Sequence, residues 1–446
     1  MSEGRITSQQ WKGLIAAWLG WAFDGLDGNL YVLVAGPFVA SLLKKPQTDP
    51  DVAVKGAIIQ GFFLIGWAVG GAVFGRIGDR LGRSRTLTLT ILTYAIFTGM
   101  AFFAAAWWHL LIFRFIAALG IGGEWAAGSA LVSEMLHKKH RAWASAALQS
   151  GYMCGMILAA LTTSWLSHLE PRWVFLVGVA PAFVTVWIRW AVPEPAEWRH
   201  AAKTQEIPPV SSLFSPSLRR TTLLLLALTS IALTTVWAFL YFAPQAVRSL
   251  PEVQAWTASN KTSLVMRVTI AFTIVNILGN FCGTYLARAV GHRRAFMILI
   301  VGALFSFCVG FAMPPTLTTI YVTTSFAAFF SLGLFGLFPM YIPPQFPTLV
   351  RTLGAGITYN TGRLIAGVGA FFGGAISAYA GGPHKAIFWT GFLYLVGLVV
   401  ALFLPEIPDE QPEPRRACAG CGYDLKGLNP AGGKGTCPEC GAAFVL

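Results

Sequence analysis

The sequence predicts an all-α membrane protein: twelve transmembrane helices in two pseudo-symmetric six-helix halves, followed by a small cytoplasmic zinc ribbon. Three observations carry this expectation. Only 11% of the 446 residues are charged and 55% are hydrophobic. An ordinary soluble domain carries about 25% charged residues, so most of this surface must face lipid rather than water. Apolar stretches of spanning length recur along the chain, and a short loop rich in glycine and arginine occurs twice.

The stretches lie near 14–39, 56–75, 86–106, 109–134, 142–166 and 172–192, then 220–246, 260–287, 295–313, 317–341, 353–380 and 385–404. Each is long enough to cross a bilayer core of about 30 Å. The first exceeds a signal-peptide core in length and is expected to stay as a span. The halves are then residues 1–192 and 220–404, with a linker over 193–219 and a tail over 405–446. The linker is proline-rich and polar and reads as a surface tie between the halves.

The net charge of +13 could suggest a nucleic-acid partner until it is located. The tail has six acids against four bases, so the excess of base lies in the membrane body. There it sits in short loops: Arg76, Arg80, Arg83 and Arg85; Lys138, Lys139 and Arg141; Arg288, Arg293 and Arg294; and Arg351. Alternate loops have few unopposed bases. This is the pattern of cytoplasmic loops in an inner-membrane protein with both termini inside, and no nucleic-acid groove is expected.

The repeat is visible directly. Gly75-Arg-Ile-Gly-Asp79-Arg80-Leu-Gly82-Arg83-Ser-Arg85 follows the second stretch. Gly283-Thr-Tyr-Leu-Ala287-Arg288-Ala-Val-Gly291-His-Arg293-Arg294 follows the eighth, with one extra residue and no acid. Glu134…Arg141 after the fourth stretch is echoed by Gln345…Arg351 after the tenth. Internal repeats of this kind are a transporter design.

These residues resemble the major facilitator superfamily over roughly Trp11 to Pro405. The 75–85 loop is similar to its signature loop, with Ser84 in place of one base. Arg114-Phe-Ile-Ala-Ala-Leu-Gly120-Ile-Gly122-Gly123-Glu124 is similar to its fourth-helix motif, and Pro193-Glu194-Pro195 to the segment after its sixth helix. Asp24-Gly25-Leu26-Asp27, and the run from Phe346 through Tyr359-Asn360 to Arg363, resemble the aromatic-acid and sialate proton symporters. Gln345 stands where that branch usually has Glu, and Ala142 follows Arg141 where glycine is common. The resemblance implies a proton or gating role for Glu124.

Asp24 and Asp27 fall near the middle of the first span, three residues apart and so on one helical face. An ionised carboxylate at that depth costs on the order of 3 kcal/mol on insertion scales, so its default reading is a pathway group. Two close carboxylates suit a proton carrier. The alternative is a structural pair bonded to a neighbouring helix. Arg114 and Arg363 lie inside the fourth and eleventh spans. A guanidinium matches a carboxylate bidentately, so both are candidates to bind an anion. Arg114 could equally be a strut to Asp24 or Asp27.

Gln149, Tyr152, Tyr359 and Asn360 are polar positions within spans and candidates to line a cavity, although helix-to-helix bonding is the commoner use. Trp237 and Tyr241 could form an aromatic wall. Asp79, with Gly75, Arg80, Gly82 and Arg83, reads as an inner-gate latch, its acid placed to cap a helix N-terminus or to pair with a base across the two halves.

In the tail, Cys418-Ala-Gly-Cys421 and, fifteen residues later, Cys437-Pro-Glu-Cys440 have the spacing of a four-thiolate zinc site. Some thirty residues cannot fold on an apolar core alone, so zinc would supply the folding energy. Such a closed site is structural, and no cofactor is expected for transport. The tail's partner is not legible.

No nucleophile–base constellation and no nucleotide loop appears, so the chain is not read as an enzyme. The leading expectation is proton-coupled symport of a small organic anion, such as a monocarboxylate, aromatic acid or acidic sugar, by a monomer in the bilayer. Co-transport of a proton cancels the roughly 2.3 kcal/mol per 100 mV that opposes an entering monoanion. The alternatives are a neutral sugar or drug carrier of the same fold, or a membrane sensor signalling through the zinc ribbon.

Overall fold

The computed structural model describes residues 6–166, 168–371, 373–407, 434–436 and 443–445. Two compact units are present, Met1–Pro405 and Glu406–Leu446.

The first unit is helical throughout. α1 (Ser8–Leu43) begins with a capping box, in which the Thr7 hydroxyl accepts from Gln10 N–H and the Gln10 side chain accepts from Thr7 N–H. α2 (Pro50–Leu81) opens on a proline at N1, where no N–H is needed. Then come α3 (Arg83–Ala101), α4 (Trp107–Met135), α5 (Lys138–Trp165), α6 (Val174–Val177) and α7 (Pro181–Ala191). α8 (Ala196–Thr204) lies in the linker. α9 (Arg219–Arg248), α10 (Ala258–Val290) and α11 (His292–Cys308) follow. α12 (Leu317–Ala327) runs on through a π turn and a 3-10 turn into α13 (Phe338–Tyr341). α14 (Arg351–Phe371), α15 (Gly373–Ala380), α16 (Pro383–Gly391) and α17 (Leu393–Leu402) complete the unit.

Among the described residues, nine segments are long and apolar enough to cross a membrane: α1, α2, α4, α5, α9, α10, His292–Ala312, Leu317–Tyr341 and Pro383–Leu402. The sequence led us to expect twelve. The other three stretches are helical but fall outside the nine, for visible reasons. α3 is only 19 residues long and spends five of them on threonine. The sixth stretch is broken before Pro181. The eleventh carries Asn360 and Arg363.

Large apolar side chains stand on the outside, including Phe103 at 73% and Trp165 at 75% exposure. Such a surface suits contact with lipid. Inside, helices approach closely through small residues. α2 meets α14 where Gly71 lies against the Gly356 backbone and Asn360, with no room for a Cβ.

The sequence repeat reappears in the backbone. Gly82 between α2 and α3 has φ +103°, and Gly291 between α10 and α11 has φ +89°. Both turns use a region open to glycine and closed to most residues. Likewise Arg141 Nε donates to Leu136 C=O and Arg351 Nε to Phe346 C=O, each five residues back.

In the second unit, β1 (Lys434–Thr436) pairs antiparallel with β2 (Ala443–Val445), Thr436 opposite Ala443. Cys418, Cys421, Cys437 and Cys440 lie outside the described residues.

Candidate functional site

Two polar systems occupy the helical unit: a charge network buried in its middle and a latch at the face that carries the linker.

The network begins on α1, which runs antiparallel to α4. Asp27 meets Arg114, whose Nη1 lies 3.0 Å from both carboxylate oxygens and whose Nη2 donates to Asp27 C=O at 3.2 Å. The Thr98 hydroxyl adds a bond to Asp27. The guanidinium also lies over the Phe63 ring, 4.4 Å from its centroid. Arg114 is therefore paired with Asp27 and absent from the cavity wall. Asp27 is likewise engaged, so the two acids of one helical face have different surroundings.

Asp24 and Glu124 are the contrasting case. Both are fully buried. No N–H or hydroxyl among the described residues donates to any of their four carboxyl oxygens. They are each other's neighbours, and Gly20, one turn before Asp24, leaves the space that the Glu124 carboxyl fills.

Beside them, between the first five helices and those from α9 onward, is a cavity of about 40 Å³, room for about three waters. Its wall includes Trp21, Gln149, Tyr152, Trp237, Tyr359 and Arg363. Asn276 and Asn280 of α10 also line it, and each has a side-chain oxygen without a partner, as does Gln149. The Arg363 guanidinium lies over Trp67 at 4.3 Å and Tyr359 at 4.7 Å, and it donates to Asn360 Oδ1. Its Nε has no partner. Tyr359 stacks on Trp125 with centroids 3.6 Å apart.

Two expected cavity residues are elsewhere. Asn360 is spent on packing, donating to Gly122 C=O and Gly356 C=O at 3.0 Å each. Tyr241 is 41% exposed, packs edge-on against Phe242 and does not line the cavity.

At the latch, Asp79 at the end of α2 accepts the backbone N–H groups of Thr352 and Leu353, both at 3.0 Å. These are orphan donors of the first turn of α14, where the helix dipole favours a negative charge. Gly75 packs on the Leu353 backbone. Arg83 donates to Glu134 at 2.7 Å, to Gly78 C=O at 2.8 Å and to Thr348 C=O. Glu134 also pairs with Arg351 at 2.9 Å. Arg80, one residue after Asp79, is exposed.

Sequence reasoning missed several members of this system. Glu134 had been noted only as part of the repeat, although a lone acid beside so many bases was a signal. Glu194 caps α3, accepting from Ser84 N–H at 3.1 Å and Arg85 N–H at 2.9 Å. The linker does more than tie the halves together. Trp198 of α8, nearly buried, donates its indole N–H to Asp79 C=O at 3.0 Å. Glu197 accepts from Thr348 at 2.7 Å and pairs with Arg351 at 2.9 Å.

The Major Facilitator Superfamily model matches residues 17–266, more than half of the chain. The chain belongs to the major facilitator superfamily. A second family model, "Sugar (and other) transporter", matches residues 197–411. Superfamily relatives match over nearly their whole length. The "Probable 4-methylmuconolactone transporter" of Cupriavidus pinatubonensis is 30% identical, covering 89% of this chain and 91% of its own. The sialic acid transporter NanX of Escherichia coli is 28% identical, covering 90% and 96%. The solved proton:xylose symporter XylE bound to 6-bromo-6-deoxy-D-glucose aligns with a TM-score of 0.69 over 90% of this chain and 96% of its own, at 16% identity. That likeness speaks to the fold alone. As a member of this superfamily the protein is a multi-pass membrane transporter and not an enzyme.

Proposed function

We propose that this transporter carries a small organic anion together with a proton by alternating access. Its two halves would have six spans each, α3, α6–α7 and α14–α15 completing the twelve. The observation that carries the anion is Arg363: buried, sandwiched by two aromatic rings, and with Nε free at the cavity wall. A permanent cation there favours a carboxylate, and the surrounding rings favour a planar or ring-bearing one. The amide oxygens of Asn276, Asn280 and Gln149 suit hydroxyl groups. The two relatives named for a muconolactone and a sialic acid agree with this class.

Asp24 and Glu124 are the proton site in this reading. Two ionised carboxylates without donors in a dry core cost several kcal/mol each. A proton on one lets it donate to the other. Arg363 is an electrostatic neighbour of Asp24. An anion on Arg363 cancels the positive field that favours a negative Asp24, so anion and proton load together. The present cavity is too small for such a substrate, so the halves must separate to admit it. Asp79, Arg83 and Glu134 would then be the gate, on the cytoplasmic side if the basic loops face inward in the inner membrane.

The tail would bind one structural zinc. The spacing Cys418-x2-Cys421 and Cys437-x2-Cys440 supports this reading.

Uptake by proteoliposomes, driven by an inward pH gradient, tests the function with a panel of aromatic acids, sialic acid and neutral sugars. Accumulation of acids only, reduced about tenfold in apparent affinity by Arg363→Lys, is expected because the lysine keeps the charge and loses the planar fork. Equal uptake of neutral sugars would replace this reading with that of a sugar carrier.

A further inference from the structure

A second cavity lies apart from the first, where the start of α1, the start of α3 and the end of α7 come to one level. It encloses about 320 Å³ and is lined by Gln9, Lys12, Ser84, Arg85, Trp190 and Glu194, among others. Lys12 and Arg85 are both exposed. Neither side chain has an ion-pair partner among the described residues, and Arg85 gives Glu194 only its backbone N–H. The one acid in the wall is already occupied, both of its oxygens accepting amide N–H groups of α3. The crevice therefore offers two cations without an ion-pair partner against one carboxylate whose oxygens already cap α3.

What leads away from it is apolar. Trp190, Trp187 and Phe183 occupy positions seven, four and zero along one face of α7, and they are 88%, 37% and 78% exposed. Ile15 follows Lys12 by one turn and Leu89 follows Arg85 by one turn, both also exposed. Each base thus has an exposed hydrocarbon side chain directly below it on its own helix. A ligand that fits both parts has an anionic head and an apolar body.

We infer that this crevice binds the phosphate of an anionic phospholipid, with an acyl chain lying along the aromatic face of α7. Lys12 and Arg85 meet the phosphodiester, and Gln9 and the Trp190 indole N–H supply further donors. Tryptophan at the level of the headgroups is where its amphipathic ring is most stable. Inorganic phosphate shares the head chemistry and lacks the tail. A zwitterionic lipid brings an ammonium that the two bases repel. The site also touches the latch, because the backbone of Arg85 is held by Glu194 and Arg83, two residues earlier, is bonded to Glu134 and Thr348. Lipid occupancy would steady the first turn of α3, from which the latch is built.

The test uses the full chain in bilayers of phosphatidylglycerol and phosphatidylcholine, with native mass spectrometry to count retained lipid. The native chain should retain phosphatidylglycerol. Lys12→Gln/Arg85→Gln should lower that retention roughly thirtyfold, as expected for two bases at about 1 kcal/mol each near a charged surface. Arg220→Gln, an exposed base elsewhere, should leave it unchanged. As a second readout, brominated phosphatidylglycerol should quench a component of tryptophan fluorescence that disappears in Trp190→Phe, a variant that leaves both bases in place. Retention unchanged in the double variant overturns the proposal. So does equal retention of phosphatidylcholine, which would mark ordinary annular lipid. Displacement by inorganic phosphate without loss of quenching by the lipid chain would instead assign a free-phosphate site.

Discussion

The Asp79 carboxylate accepts the backbone N–H of Leu353 at 3.0 Å, across 274 positions of sequence. One acid in the first part of the chain thereby completes a helix in the last. A charge-assisted bond of this kind is worth about 1.5–3 kcal/mol.

Asp79→Asn should loosen this joint. The amide keeps one acceptor and loses the charge that the α14 dipole favours. Spin labels at Arg80 and Arg288, both exposed at helix ends near the two basic turns, should report a longer and broader distance distribution. An unchanged distribution would show that the glycine packing at Gly71 and Gly75 holds the joint without the carboxylate.

The linker bond should be insensitive to physiological pH. Partial burial pushes the Glu197 carboxyl up, but Arg351 and the Thr348 hydroxyl outweigh it and hold it below the ordinary glutamate value. A depressed value means that its contribution is fully present above about pH 4.3, the unfolded value, and is lost only as pH falls through the still lower folded value. Glu197→Gln should therefore leave the shape of the transport profile between pH 6 and 8 unchanged. A shift of that profile would move Glu197 into the coupling path.

Asp24 and Asp27 should behave oppositely on mutation. Removing one partner of the buried Asp27–Arg114 pair leaves a stranded charge, at a cost of about 3–5 kcal/mol. Asp27→Asn should lower the melting temperature in detergent. Asp24→Asn removes a carboxyl that has no donor, so the melting temperature should hold or rise while pH-driven accumulation is lost. Similar melting losses in both variants would refute the division of labour between them.

Truncation after Pro405 should leave uptake largely intact, since the latch and the cavity lie wholly within Met1–Pro405. Metal analysis of the full chain should give about one zinc, absent after truncation. Loss of uptake at equal membrane abundance would tie the tail to gating.

Most of the architecture was legible because lipid imposes a simple rule. A span must be long, apolar and internally hydrogen-bonded, and runs such as 317–341 state this openly. The capping role of Asp79 was one of two options that its place in the loop allowed. The pairing of Asp27 rather than Asp24 with Arg114 was not legible, because two acids on one helical face look alike until the neighbouring helix is positioned. Asn360 read as a cavity residue because polarity within a span does not reveal which way the side chain turns. Trp198 and Glu197 went unnoticed for the reverse reason: a polar, proline-rich stretch looks like solvent-facing tether, and only the three-dimensional position of Asp79 shows what its indole grips.

The two matching turns at Gly82 and Gly291 differ in one respect. Ala287 stands in the second copy where Asp79 stands in the first. The scaffold is duplicated and the electrostatic clasp is not. Charge-altering mutations at Asp79 therefore have no counterpart at the matching position of the twin turn, where Ala287 carries no charge. The two halves of this apparently symmetric machine are thus not interchangeable as levers at this position.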